Sequence, residues 1–315
     1  MFSRRTLIGL VSAVSIIATS SMVKADDQLY IPLVSKGFQH QFWQAVKQGA
    51  DQAAKEFDVR VTFEGPDTEA QVDRQIDMLA AALANKPDAI GFAALDSQAA
   101  IPLLRKAHKA GIPIVAFDSG VASDIPLTTA TTDNVAASAL AADKMAELIG
   151  KKGQVAVVAH SQTGTTGIDR RDGFLNRMKQ AYPNIEVVTV QYGDGDQLKS
   201  TEVARAILTS HPKLVGMFGT NEGSAIGVVN AVRESKVKDL VVIGFDSGQA
   251  QIDAIRNGLM AGAITQNPVG IGYETVKAAV MAIKGQSLPK VIDTGFYYYT
   301  AKNIDDPKIA AVLYK

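Results

Sequence analysis

An α/β fold with parallel sheets, divided between two domains, is what three features of the sequence predict. Short apolar or β-branched runs alternate with helix-like stretches along the chain. These runs are continuously apolar, which is how strands read when helices cover both faces of a parallel sheet. The length, 315 residues, is too great for one ordinary domain and too small for three.

In chain order, a strand at 29–34 leads into a helix at 42–57, and a strand at 59–63 into a helix at 68–85. In the latter, Val72, Ile76, Leu79 and Leu83 recur at three- and four-residue steps and form one apolar stripe. Strand 89–94 pairs with helix 98–110, and strand 112–117 precedes helix 134–149. The second half repeats the pattern with strands at 155–159, 185–191, 214–218, 240–245 and 261–265. Its helices fall at 168–182, 196–210, 224–232, 249–257 and 268–284.

Composition narrows the function classes. With 47% hydrophobic and 20% charged residues the chain can bury sizeable cores. Lys and Arg number 32, as do Asp and Glu, so the basic footprint of a nucleic-acid binder is missing. There is no cysteine, which removes disulfides, thiolate metal sites and thiol nucleophiles. His40, His108, His160 and His211 lie far apart without metal-ligand spacing, so neither metal nor cofactor is expected.

The first 25 residues stand outside this pattern. Arg4 and Arg5 precede an apolar run at 7–18, and Val23-Lys24-Ala25 offers a cleavage site before Asp26, together an export signal. A buried amphipathic helix is the alternative, but the charges precede the apolar run instead of lining a face. Ser3-Arg4-Arg5-Thr6-Leu7 carries only part of a twin-arginine pattern, so ordinary secretion is the expected route. Removal of this segment leaves 29 basic against 32 acidic residues, a net charge of −3. No second long apolar stretch follows, and no cysteine could carry a lipid. The expected product diffuses freely in a Gram-negative periplasm and is not inserted in the membrane.

One near-repeat points to a site. Phe117-Asp118-Ser119-Gly120 and Phe245-Asp246-Ser247-Gly248 each close an apolar strand. Asp118 and Asp246 are thus the first polar residues past two buried strands, at the edge where open α/β sheets bind ligands. Either could instead be a turn or helix-cap residue, the commoner job at such a junction. The same edge carries Ser35, Asp96, His160 and Asn221. Carboxylates, an amide and hydroxyls suit a neutral polyhydroxylated ligand, whose hydroxyls both donate and accept. Phe42 and Trp43, the latter the only tryptophan, follow the first strand and could offer flat apolar faces to such a ligand. They could equally be core residues; adjacent helical positions point about 100° apart, so at most one need face the core.

Motifs for catalysis are missing. Gly193-Asp194-Gly195 lacks the third glycine of a dinucleotide turn, and no phosphate loop, nucleophile elbow or His-Glu-x-x-His occurs. Asp118 and Asp246 could form a glycosidase-like pair. Nothing in the sequence raises the pKa of either, so hydrogen-bond acceptors are the more economical reading, and no enzyme is expected.

With these landmarks in order, residues 29–298 resemble the sugar-binding proteins of ATP-binding-cassette importers, in the ribose-, allose- and galactose-binding group of type I periplasmic binding proteins. The matching segments are Phe42-Trp43, Val115 to Asp118, Asp133-Asn134, Arg170 to Phe174, Phe218 to Glu222, Val242 to Asp246 and Ala263 to Gln266. The resemblance implies ligand contacts at His40, Phe42, Trp43, Asp118, Arg170, Asn221, Asp246 and Gln266. Phe42 and Trp43 would sandwich a sugar ring with help from the far lobe. There the stretch Tyr192 to Asp196 shows no obvious aromatic at the matched stacking position, and Tyr192 is the one ring within reach. Asp118, Asn221 and Asp246 would bond hydroxyls, and Arg170 would fork onto two oxygens; its alternative is a surface salt bridge. Two departures from ribose-type relatives argue against ribose itself: Ser119 stands where they carry arginine, removing one charged clamp, and His40 where they carry asparagine.

The resemblance further implies two doubly wound lobes, 26–130 with 268–292 and 131–267 with 293–315. They would be joined by a three-segment hinge near 128–134, 266–268 and 290–295. The implied protein is a monomer that captures a monosaccharide or polyol and hands it to a membrane permease. Three alternatives share features with it. A repressor of the same core needs an N-terminal helix-turn-helix, which is missing here. A periplasmic sugar-acting enzyme lacks its chemistry. A receptor for a furanose autoinducer or chemotaxis ligand uses the same fold.

Overall fold

In the computed structural model, which describes residues 28–314, the strands sort into two six-stranded sheets. The export segment expected at residues 1–25 lies outside the described residues. Numbered along the chain, the first sheet contains β1 (Tyr30–Val34), β2 (Arg60–Glu64), β3 (Ile90–Phe92), β4 (Ile114–Phe117), β5 (Thr128–Thr131) and β11 (Val291–Asp293). They lie parallel in the order β11-β5-β4-β3-β1-β2. The second sheet contains β6 (Gly153–Ala159), β7 (Ile185–Tyr192), β8 (Leu214–Gly219), β9 (Val241–Phe245), β10 (Gly262–Gln266) and β12 (Phe296–Tyr299). Its order is β12-β10-β9-β8-β6-β7, parallel except for β12 against β10.

Helices cover both faces of each sheet, as the apolar strands require. In the first lobe α1 (Gln41–Glu56) and α9 (Pro268–Ile283) share one face, while α2 (Val72–Ala84) and α3 (Ile101–Lys109) cover the other. In the second, α4 (Asn134–Leu148) and α5 (Thr165–Ala181) lie opposite α6 (Gln197–Ser210), α7 (Glu222–Ser235) and α8 (Gln249–Arg256). The α1–α9 contact brings the chain back to the first lobe and depends on two glycines. A Cβ on Gly49 would stand 1.9 Å from the Val269 carbonyl oxygen, and one on Gly272 1.9 Å from that of Val46.

The chain crosses between sheets three times: from β5 to α4, from β10 to α9, and from β11 to β12. In each lobe the first strand neighbours the second on one side and the third on the other. The strand order therefore reverses between β1 and β3 and between β6 and β8, creating a crevice at the carboxyl ends.

Several expectations need correction. No strand is expected from sequence at β5, β11 or β12: β5 and β12 are four residues rich in Thr or Tyr, and β11 is only Val-Ile-Asp, too short to read as an apolar run. Edge strands β2 and β7 are not continuously buried; Arg60 and Glu64 are exposed, as befits an outer strand. Helix α2 starts at Val72 and not at 68. Residues 65–71 instead form a loop, in which the Gln71 side chain accepts the Thr68 N–H at 3.1 Å and Gln39 Oε1 accepts the Glu69 N–H at 2.9 Å. Among the described residues no helix is long and apolar enough to cross a membrane.

Candidate ligand-binding site

The strand and helix ends of both lobes converge on one small, nearly filled cavity of about 10 Å³. His40, Phe42, Trp43, Asp118, Arg170, Asn221, Asp246 and Gln266 all line it, joined by Lys36, Glu69 and His160. The lobes touch around its rim. Ser97 N–H donates to the Thr163 carbonyl at 3.1 Å, Gly120 N–H to Thr165 Oγ1 at 3.0 Å, and Gln249 N–H to Gln41 Oε1 at 2.7 Å.

The two aspartates share a backbone device but differ in partners. Asp118 has φ 55° and Asp246 φ 82°, left-handed conformations that aspartate tolerates better than most residues. Asp246 Oδ2 accepts the Glu222 N–H at 2.9 Å, and Oδ1 accepts from Gln266 Nε2 at 2.7 Å. It therefore does serve a helix N-terminus while also facing the cavity. Burial raises the Asp246 pKa, against the pull of Arg170 and these donors, a perturbation that no local sequence feature signals. Asp118 pairs with Lys36, whose ammonium lies 2.8 Å from Oδ2. The contact is ionic and not a well-aligned hydrogen bond, since Oδ2 has no partner of good hydrogen-bond geometry.

Lys36 also changes the meaning of Ser119. The Ser119 hydroxyl donates to the Ala94 carbonyl at 2.6 Å and is fully buried, so it ties strands and does not face a ligand. The cation missing at that position is supplied by Lys36, just past β1, which also donates to Thr166 Oγ1 of the far lobe at 3.3 Å. A lysine one residue after Ser35 was the available signal for it.

Arg170 is not a surface residue. It is 2% exposed, donates from Nε to Asn134 Oδ1 at 2.8 Å and from Nη1 to the Thr220 carbonyl at 3.0 Å, and stacks 3.7 Å over Phe245. Asn134 opens α4 right after the first crossing, so the guanidinium is pinned to the crossing segment. Gln266, at the second crossing, accepts from Thr132 Oγ1 at 2.9 Å. Asn221 caps α7 through Oδ1, which accepts the Ser224 N–H at 2.8 Å and leaves Nδ2 as its donor. The surface role falls to Arg171, which pairs with Asp172 and donates to the Tyr192 hydroxyl at 2.9 Å. Tyr192 is therefore engaged there and does not line the cavity.

Both Phe42 and Trp43 are buried, at 4% and 1% exposure, contrary to the expectation that only one need face the core. They meet edge to face at 4.9 Å, and Trp43 similarly meets Phe117 at 6.3 Å. Each is thus a core residue whose edge also borders the cavity. His160 bonds Thr220 Oγ1 at 2.7 Å and Thr166 Oγ1 at 3.2 Å. Burial, helped by Arg170, Lys36 and His40, pushes its pKa well down and keeps the ring neutral.

Behind the cavity, Glu222 reaches across the lobe boundary to the start of α1, where its Oε1 accepts the Gln41 N–H at 3.4 Å. Burial, with the charge of Asp246 adding to it, pushes its pKa up to about 7 despite the pull of His40 and the N–H groups of Gln41 and Phe42. A carboxyl raised in this way binds a proton more readily closed than open. Closure is therefore unpenalised below its ordinary value near 4.5 and progressively opposed up to about pH 7, with no further change above. Ligand affinity should fall as pH rises from 5 to 7 and then level, and Glu222→Gln should flatten the profile. Calorimetric titration at five pH values checks this; an unchanged profile in the variant would discard Glu222 as the source.

Similarity places this site in a known context. A family model described as the periplasmic binding protein domain matches residues 31–287. The chain belongs to the periplasmic binding protein family. Its two parallel-sheet lobes have the type I fold of that family. A solute-binding protein of an ABC transporter from Agrobacterium vitis, solved with α-D-tagatopyranose, superposes with a TM-score of 0.88 at 31% identity, covering 91% of this chain and all of that one. A carbohydrate-transporter solute-binding protein from Agrobacterium radiobacter, in complex with D-arabinose, gives 0.88 at 33% identity over 92% of this chain and all of that one. The D-allose-binding periplasmic protein of Escherichia coli is 28% identical over 90% of this chain and 91% of its own length.

Proposed function

We propose that this periplasmic binding protein is the solute-binding component of an ABC sugar importer. It captures a neutral monosaccharide or polyol between its lobes and delivers it to the membrane permease. The observation that carries this reading is the cavity, closed between two sheet-reversal points and lined by carboxylates, amide and guanidinium donors and aromatic edges. Opposite charges are matched within it: Lys36 faces Asp118, and Arg170 lies among Asp246 and Glu69. A neutral polyol adds no unpaired charge to such a site. His40, Phe42, Trp43, Asp118, Arg170, Asn221, Asp246 and Gln266 are its proposed contacts, and the three crossing segments its hinge.

Catalysis is not part of this reading, because the aspartates that would have to act are already occupied by Lys36, Gln266 and the α7 N-terminus. The exported chain is cleaved near Ala25, acts as a monomer in the periplasm, and needs neither metal nor cofactor. Thermal-shift screening of purified mature protein against D-tagatose, D-arabinose, D-fucose, D-ribose, D-allose and common polyols tests it. A ligand at about a hundred times its Kd should add about 2.7 kcal/mol of stability, with or without chelator. No shift with any sugar or polyol, or turnover of one, would overturn the proposal.

A further inference from the structure

Glu69 lies outside every segment that carried the resemblance, yet it borders the cavity from the loop between β2 and α2. Its Oε1 accepts the Trp43 indole N–H at 2.8 Å. Its backbone is fixed by the Gln39 side chain at 2.9 Å, and Gln39 also reaches the Gly195 carbonyl of the far lobe at 3.4 Å. Oε2 points the same way. A Cβ on Gly195 would lie 2.9 Å from Glu69 Oε2 and 3.2 Å from Asn221 Nδ2, so this glycine leaves room for both groups. No protein donor bonds Oε2 among the described residues, in contrast to both oxygens of Asp246.

We propose that Glu69 is a specificity-determining ligand contact, one oxygen fixing the Trp43 indole and the other accepting a ring hydroxyl of the bound sugar. The inference rests on the sugar-binding reading above. An ionised carboxylate accepts only, so Glu69 selects a hydroxyl that can donate in its direction. Burial opposes that ionised form, but Lys36, His40, the Trp43 N–H and Arg170 together hold the pKa below its ordinary value. The loop extends from the first lobe to Gly195 of the second, so the contact is completed only when the lobes meet.

The test is a cycle between the side chain and the sugar. The tightest of D-tagatose, D-arabinose, D-fucose, D-ribose and D-allose is titrated calorimetrically together with its monodeoxy analogues. Wild type, Glu69→Gln and Glu69→Ala are compared, each first checked for an unchanged melt. Glu69→Gln keeps an oxygen for Trp43 and offers an amide NH2, a donor only, where the second carboxylate oxygen stood. Both variants should lose roughly ten- to a hundredfold in affinity for the parent sugar, the range for a charged hydrogen bond. One deoxy analogue should bind wild type about as weakly as Glu69→Ala binds the parent, and lose little more on the variant. Losses that add for every analogue, or variants that bind like wild type, overturn the assignment of Glu69 while leaving the sugar-binding reading intact. Wild type that binds none of the five sugars sinks that reading, and this one with it.

Discussion

Trp43→Ala should lower the folding stability of the protein by about 3–5 kcal/mol, the usual cost of emptying a buried aromatic site. The indole is the largest fully buried side chain of the described residues, wedged between Phe42 and Phe117 with its N–H on Glu69. Removing it leaves a cavity beside the ligand space and frees a buried carboxylate oxygen. Trp43→Phe keeps most of the volume and loses chiefly the hydrogen bond, a change of about 1 kcal/mol. Because the same indole borders the ligand cavity, its emission should also respond saturably to sugar in the wild type. Denaturant melts of the three proteins alongside a fluorescence titration read both properties. An alanine variant as stable as wild type would mean that Trp43 is not packed as described. A silent indole would confine it to the core.

That dual role explains what the sequence could and could not convey. Apolar runs and the repeated Phe-Asp-Ser-Gly are properties of local composition, and they place the strands, the parallel sheets and the two aspartates directly. The choice between core and ligand contact for Phe42 and Trp43 depends on what packs against them from β4 and from residues 65–71, and helical spacing holds no record of that. Strands β5, β11 and β12 escaped notice because tertiary pairing, not apolar content, makes them strands. Lys36 and Glu69 were missed for a related reason. Lysine and glutamate are solvated nearly everywhere, and only the approach of Asp118, the indole and the far lobe turns these two into site residues. The family landmarks single out Arg170 by its place in chain order, but its bond to Asn134 at the crossing segment emerges only once the lobes are assembled.

Arg170→Met should cost the site more than about a hundredfold in sugar affinity. Methionine approximates the length and apolar stem of arginine and can still lie on Phe245, so the change removes donors more than volume. Asn134 Oδ1 and the Thr220 carbonyl would lose their partners, and buried acceptors left bare are costly. Truncating one partner of a buried, hydrogen-bonded charge network typically costs about 2–5 kcal/mol in binding. Asp246 adds a second effect: its pKa, already raised by burial, is held down in part by the Arg170 charge. Without that charge it rises further, so Asp246 takes up a proton at a higher pH and ceases to be a pure acceptor for the ligand. The pH dependence of the residual affinity of Arg170→Met should therefore be displaced towards higher pH than that of the wild type. Arg170→Lys retains charge but not the fork, and cannot donate along the Nε and Nη1 directions together, so it should rescue little. Calorimetric titrations of both variants, with ligand-free melts to confirm folding, decide the matter. A lysine variant within about threefold of wild type would mean that charge alone suffices and that the pinning of Arg170 to Asn134 and Thr220 is incidental to binding.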